Sequence, residues 1–261
     1  MNGEPVIIER RDGVVTVTVN RPEKKNAANG AVWDGLLDVF RSLGDDPDAR
    51  VLVVTGAGGD FCSGADISDP DGILRASGHP LSRMRNLGEV TLALHRLAIP
   101  TIAKVRGIAA GAGMGLALVC DLVVASETAR FSEIFARRGL SLDFGASWIL
   151  PRVVGLQRSK ELAFFADIID APAACDLGLV NRVVDDGDLD GFVDDWARRL
   201  AAGPPIALSI IKTQLNASFS LSMDQAVEAE ARSQCVNLAT EDVAEAMRAF
   251  REKREPAYRG R

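Results

Sequence analysis

Short β-branched runs, each leading into a helical pattern, limit this chain more than any other feature. Val14 to Val19 alternates Val with Thr, as a strand buried on one face does. Val51 to Thr55 (VLVVT) is mostly apolar and ends in Gly56, the pattern of a strand covered on both faces. Thr101 to Val105 and Leu122 to Ala125 read the same way. Between these runs, Met84, Leu87, Thr91, Leu94 and Leu97 fall on one helical face, and Pro100 ends that segment. Strands alternating with helices predict parallel pairing and an α/β core.

Beyond about residue 200 only helical patterns remain. Pro204 and Pro205 open one through Ile206, Ile210 and Ile211. Ser222 and Gln225 form a capping-box signature before Ala226 and Val227. Thr240 caps a last helix whose expected inner face carries Val243, Met247 and Phe250. The expected organisation is a core over 1–200 and a helical region over 201–261 for packing and oligomerisation.

The bulk numbers exclude several classes. Of 261 residues, 47% are hydrophobic and 25% charged, the balance of a globular protein able to bury a core. With a net charge of −6 and no run of Lys or Arg, nucleic acid is not an expected partner. No apolar run approaches the ~20 residues that cross a bilayer, and Met1 to Arg11 carries no signal-like stretch, so a cytoplasmic location is expected. Cys62, Cys120, Cys175 and Cys235 are scattered without CxxC spacing, which reads as free thiols rather than a metal site or disulfide framework.

Two glycine-rich turns follow buried strands. The first is DFCSGADIS, Asp60 to Ser68, where the small Gly64 and Ala65 let a ligand approach the backbone. The second is GIAAGAGMGLAL, Gly107 to Leu118, with Gly111, Ala112, Gly113 and Gly115 where a helix should begin. Free N–H groups at a helix start suit developing negative charge. Neither turn has the GxxxxGK[ST] or GxGxxG order that cradles a nucleotide.

Together with NRPEKKNA (Asn20 to Ala27), ARFSEIFARRGLSLDFGASWILPRVVG (Ala129 to Gly155), DLGLVNRVV (Asp176 to Val184) and the ending KREPAYRGR, these turns make the chain similar to the enoyl-CoA hydratase/isomerase, or crotonase, family over nearly its whole length. The resemblance implies a ββα spiral core, a helical C-terminal region, a homotrimer or dimer of trimers, and an acyl-CoA substrate gripped at its thioester carbonyl by two main-chain amides. The positions matching those donors are Ala65 and Ala112. It further implies that Lys25, Ala27, Gly64, Asp66, Ile67, Ser68, Gly111 and Trp148 meet the substrate. Coenzyme A arrives as part of that substrate, and no metal or other cofactor is implied.

The reaction itself is constrained by what is missing. Hydration needs one group to activate water and another to protonate the α-carbon, and two glutamates do this in the family's hydratases. Gly115 and Phe135 stand at the matching positions, and neither transfers a proton. In GLSLDFG, however, Asp143 fits the Gly-Leu-x-x-(Asp/Glu)-x-Gly pattern of members that move double bonds. There one carboxylate takes a proton from one carbon and returns it to another. With Trp148 and the run to Pro151, the stretch resembles ring-epoxide isomerases of phenylacetyl-CoA degradation. A duller role for Asp143 is a helix N-cap. If it is instead buried beside Phe144 and Trp148, its pKa should rise toward neutrality.

Glu133 is the other candidate acid, if strand alternation turns it to the same side as Phe135; a structural role is the plainer expectation. Lys24 and Lys25 are candidates for coenzyme A phosphates, and Tyr258 and Arg261 for its nucleotide end. His79 and His95 lack metal-like partners, and Cys62 and Ser63 lack a base. The leading expectation is an acyl-CoA isomerase. The alternatives are a hydratase using non-standard acids and an acyl-CoA binder without catalysis.

Overall fold

The computed structural model describes residues 4–68 and 79–261. Its elements in chain order are β1 (Val6–Arg11), β2 (Val14–Val19), α1 (Gly30–Gly44), β3 (Val51–Gly56), α2 (Pro80–His95), β4 (Thr101–Val105), β5 (Ile108–Ala110), α3 (Ala112–Val119) and β6 (Leu122–Ser126). They continue as β7 (Arg130–Ser132), α4 (Ala146–Phe165), β8 (Ile169–Asp170), α5 (Ala171–Asp176), β9 (Arg182–Val184), α6 (Leu189–Ala201), α7 (Pro205–Ala217), α8 (Met223–Leu238) and α9 (Glu241–Glu252).

The larger sheet has the order β1-β2-β3-β4-β6-β9, antiparallel only at the β1–β2 hairpin and parallel from there on. The sequence explains its two kinds of strand. β2 buries Val15, Val17 and Val19 and leaves Thr16 and Thr18 half-buried, whereas β3 is covered on both faces. One face packs on α1, α2 and α3; Val51, Val53 and Ile102 on the other meet Leu189, Val193 and Ala197 of α6.

A second, smaller layer positions the site. It contains β5, β7 and β8, extended by single parallel bridges between Cys62 and Ala109 and between Ala28 and Ala65. These strands are two or three residues long and have no periodicity to read. They exist because chain segments brought together by the larger sheet satisfy each other's backbone groups.

The chain from Leu189 onward is helical, which includes the expected 201–261 region, with the Ser222–Gln225 capping box formed and Thr240 accepting from the Val243 N–H. The inner face of α9 differs from the expected one. Met247 and Phe250 point outward, Phe250 being 84% exposed, while Asp242, Glu245 and Ala249 are buried. The acids turn inward because they hold the C-terminal tail: Asp242 accepts from the N–H groups of Arg259 and Gly260, and Glu245 from Ala257 N–H and Arg254. Arg261 is tied to Glu241 in the same way. In α2 the expected face holds for Leu87, Thr91 and Leu94, but Met84 is 38% exposed and Leu97 lies past the helix end. Most of the Asp69 to Ser82 segment, expected to shape an acyl pocket, lies outside the described residues.

Candidate active site

Parallel bridging from Cys62 to Ala109 sets the two glycine-rich turns side by side: Cys62 N–H donates to Ile108, and Ala110 N–H to Cys62. Past that bridge the two segments stay close, a Cβ position on Gly64 lying 3.7 Å from the Ala112 nitrogen. The Ala28–Ala65 bridge uses the N–H groups of Ala28 and Asp66, so the amide of Ala65 is left without an internal acceptor among the described residues. Ala112 is the first residue of α3, where no preceding turn exists to accept its N–H. Gly111 before it adopts φ 54°, ψ −126°, and its N–H is held by the Ser132 carbonyl at 2.9 Å. Both residues, each with an unspent amide, line one cleft.

Gly64 is what lets them meet. Its φ is +97°, and a Cβ there would lie 2.8 Å from the Ala110 carbonyl oxygen and 3.7 Å from the Ala112 nitrogen.

These amides open on a cleft of about 630 Å³. Its wall includes Ala27, Gly64, Ala65, Asp66, Ile67 and Ser68, then Gly111, Ala112, Phe135 and Asp143. Two expected contacts are elsewhere. Lys25 occupies the left-handed region at φ 52° and spends its carbonyl on Ser63 N–H, so Lys24 is the lysine at the cleft, donating to Ser68 Oγ at 3.0 Å. Trp148 is not among the lining residues: it lies on an outer face of α4, with Arg152 stacked 3.8 Å from its ring and His95 edge-on at 5.3 Å. Sequence reading missed Arg138, Leu140 and Ile168 as lining residues, because loop and strand-end positions carry no periodic signal.

Asp66 and Asp143 are the acids on the wall among the described residues, and they differ in kind. Asp66 pairs with Arg21 at 2.9 Å and accepts from Ser68 N–H and Oγ. Burial acts to raise its pKa, but the donors of Ser68 and Arg21 outweigh it and hold the carboxyl below its usual range. Asp66 is tied to the framework. Asp143 is half-buried with no hydrogen-bond partner among the described residues; Oδ1 is sealed off, which leaves Oδ2 toward the cleft. Burial pushes its pKa up to about 6. It does not cap α4: the N-cap is Gly145, and only the backbone carbonyl of Asp143 engages Ala146 N–H.

Phe144, in the left-handed region at φ 49°, packs against Trp33 with ring centroids 5.2 Å apart. Its other neighbour is Gly115, where an added Cβ would lie 2.8 Å from the Phe144 Cβ. The position matching a hydratase glutamate is thus filled by Phe144, and the second is the buried Phe135. Gly115→Glu is accordingly expected to destabilise the fold by about 1–3 kcal/mol through overpacking and to confer no hydratase activity. Urea midpoints and assays on a 2-enoyl-CoA check both.

Glu133 does not line the cleft. It follows β7 and immediately precedes a 3-10 helix (Ile134–Arg138) rather than continuing a strand, so the expected alternation with Phe135 fails. It is 1% exposed. Cys62 is no nucleophile, since burial pushes its thiol up to about 11. His79 caps α2 through Leu81 N–H. Tyr258 and Arg261 belong to the tail folded on α9, not to the cleft.

The profile of the enoyl-CoA hydratase/isomerase family matches residues 9–261. The 1,2-epoxyphenylacetyl-CoA isomerase of Escherichia coli (strain K12) is 35% identical, over 95% of this chain and 96% of its own. The short-chain-enoyl-CoA hydratase of Clostridium acetobutylicum is 34% identical, over 95% of each chain. A crystal structure of an enoyl-CoA hydratase from Polaromonas sp. JS666 superposes with a TM-score of 0.91 at 31% identity, covering 97% of this chain and 99% of that one.

Proposed function

Because the chain belongs to the enoyl-CoA hydratase/isomerase family, we propose that it is an acyl-CoA isomerase in which Asp143 moves a proton along the acyl chain. The observation that carries this reading is the state of the cleft's acids: Asp143 alone among those described there is unpartnered, and Gly115 and Phe135 stand where hydration would need carboxylates. The thioester carbonyl sits under the amides of Ala65 and Ala112. Asp143 Oδ2 takes a proton from the α-carbon of a 3-enoyl thioester. The electron pair spreads through the double bond onto the carbonyl oxygen as a dienolate, and the amides bear its charge. Asp143 then returns the proton to the γ-carbon, giving the 2-enoyl isomer. A pKa near 6 leaves the base ionised at neutral pH yet basic enough to work.

Coenzyme A enters with the acyl group, with Lys24 and Arg138 at the mouth to meet its phosphates, and the chemistry calls on no further cofactor. We place the protein in the cytoplasm, consistent with four free cysteines and with no described helix long and apolar enough to cross a membrane.

Offering 2-enoyl-CoA and 3-enoyl-CoA separately tests the reaction. Interconversion of the two supports the reading; rapid hydration of the former with no shift of the latter overturns it. The E. coli relative's name favours including an epoxide of an aryl-acetyl thioester among the substrates.

The assembly proposed is a homotrimer or dimer of trimers, with 201–261 as its packing region. Phe164, Phe219, Leu238 and Phe250 are each at least 70% exposed, an apolar surface a lone chain would not keep in water. Light scattering is expected to give three or six chains, and Phe250→Glu to lower that mass; a monomeric wild type contradicts it.

A further inference from the structure

We propose that Glu133 and Asp143 work as one unit, a carboxylic acid beside a carboxylate, in which Glu133 keeps a proton and donates it as a hydrogen bond to Asp143 Oδ1. Oδ2 is then left to the substrate. This rests on the reading of Asp143 as the base, and it makes Glu133 a positioning residue, since Ser132 and Ile134 reach the cleft and Glu133 does not.

Both oxygens of Glu133 are buried without a partner among the described residues, and so is Oδ1 of Asp143. Buried polar atoms are seldom left this way. Two ionised carboxylates cannot satisfy one another, because both only accept. One proton held between them resolves the shortage.

The surrounding charges agree. Among the described residues, Asp143 is the charged group that acts on Glu133. Arg137 is turned to Asp167, Arg138 is exposed at the cleft, and Arg152 of α4 stacks on Trp148. Asp170 caps α5, and β5 and α3 carry no titratable side chain. Among the described residues, no cation is set to offset a second negative charge on Glu133. Burial first, and the Asp143 charge second, push Glu133 up to about 8, while Asp143 stands at about 6. Between those values the unit holds one proton and one charge. Below about 6 the base is protonated; above about 8 the donor is lost. Environments that drive two carboxyls apart in this way assign them different tasks.

The test is the pH dependence of kcat/KM for isomerisation, which reports groups of the free enzyme. Wild type is expected to show limbs near 6 and 8. Glu133→Gln keeps a permanent N–H donor, so the acid limb stays and the alkaline limb disappears. Glu133→Leu removes the donor: the acid limb moves up by about one unit, and kcat/KM near that limb falls up to roughly tenfold. A second readout needs neither substrate nor variant. Carboxyl 13C NMR of the folded wild type is expected to show Glu133 protonated at pH 7. An alkaline limb surviving in Glu133→Gln, or a Glu133 already ionised at pH 7, overturns the proposal. If isomerisation itself is misassigned, the NMR titration still reports the pair. If only the pair is wrong, Asp143→Asn still lowers kcat for isomerisation by about 10²–10⁴-fold.

Discussion

Asp143→Asn is expected to lower kcat for isomerisation by about 10²–10⁴-fold while KM changes only a few-fold. The amide matches the carboxylate in shape, so the half-buried site keeps its packing against the turn that includes Phe144 and Gly145. What it loses is the ability to take a proton. The amide oxygen can still accept at the Oδ1 position from Glu133, and the new NH2 takes the Oδ2 position at the cleft, so no existing donor is orphaned by the change. Stability should hold or rise slightly above about pH 6, where the wild-type enzyme keeps a charge in a poorly solvated place. In pH profiles, wild-type activity should fall as pH drops through about 6, because the raised pKa protonates the base there. Steady-state kinetics with a denaturation curve separates this from unfolding: activity lost with the fold retained is the expected pairing.

Gly64→Ala should be nearly as damaging, by a different route. The residue sits at φ +97°, where an L side chain is strained, and its new Cβ would press to 2.8 Å on the Ala110 carbonyl oxygen. That carbonyl belongs to β5, which is pinned by β7 and by Cys62, so the glycine turn must give way instead. The amide that moves is that of Ala65. Losing one donor of such a pair costs about 10²–10³ in kcat, and the strained backbone about 1–3 kcal/mol of stability. Gly59→Ala is the control, in the same loop but with open space around its Cβ position and no left-handed φ; it should behave as wild type.

Four strands of the larger sheet were readable because they carry their own signal, whereas β1 and β9 had no reading in the sequence. β2 and β4 fall on the ranges that alternation and apolar runs predict, and β3 and β6 run one residue longer. The small layer was not readable. β5, β7 and β8 are too short for any period, and they form only because distant segments meet. The face of α9 was misread for a related reason: Asp242 and Glu245 go inside to hold backbone N–H groups of the tail, a long-range demand that helical periodicity cannot express.

At the site, motifs single out Ala65, Ala112 and Asp143, and all three line one cleft. Trp148 was not placed correctly, because α4 begins only at Ala146 and turns its side chain outward onto Arg152 and His95. Lys25 was displaced by one position because the loop passes through the left-handed region at Lys25 and Asn26. Nothing in the sequence reveals that Phe144 fills the space beside Gly115.

Hydrogen exchange at the α-carbon isolates the step on which the whole account depends. A 3-enoyl thioester kept in D₂O with the enzyme should take up deuterium at its α-carbon as Asp143 exchanges its captured proton with solvent, read by mass spectrometry of the recovered thioester. The account predicts exchange with wild type, none above background with Asp143→Asn, and strongly slowed exchange with Gly64→Ala. Undiminished exchange in Asp143→Asn would contradict it, for an enolate would then be forming without the base assigned here.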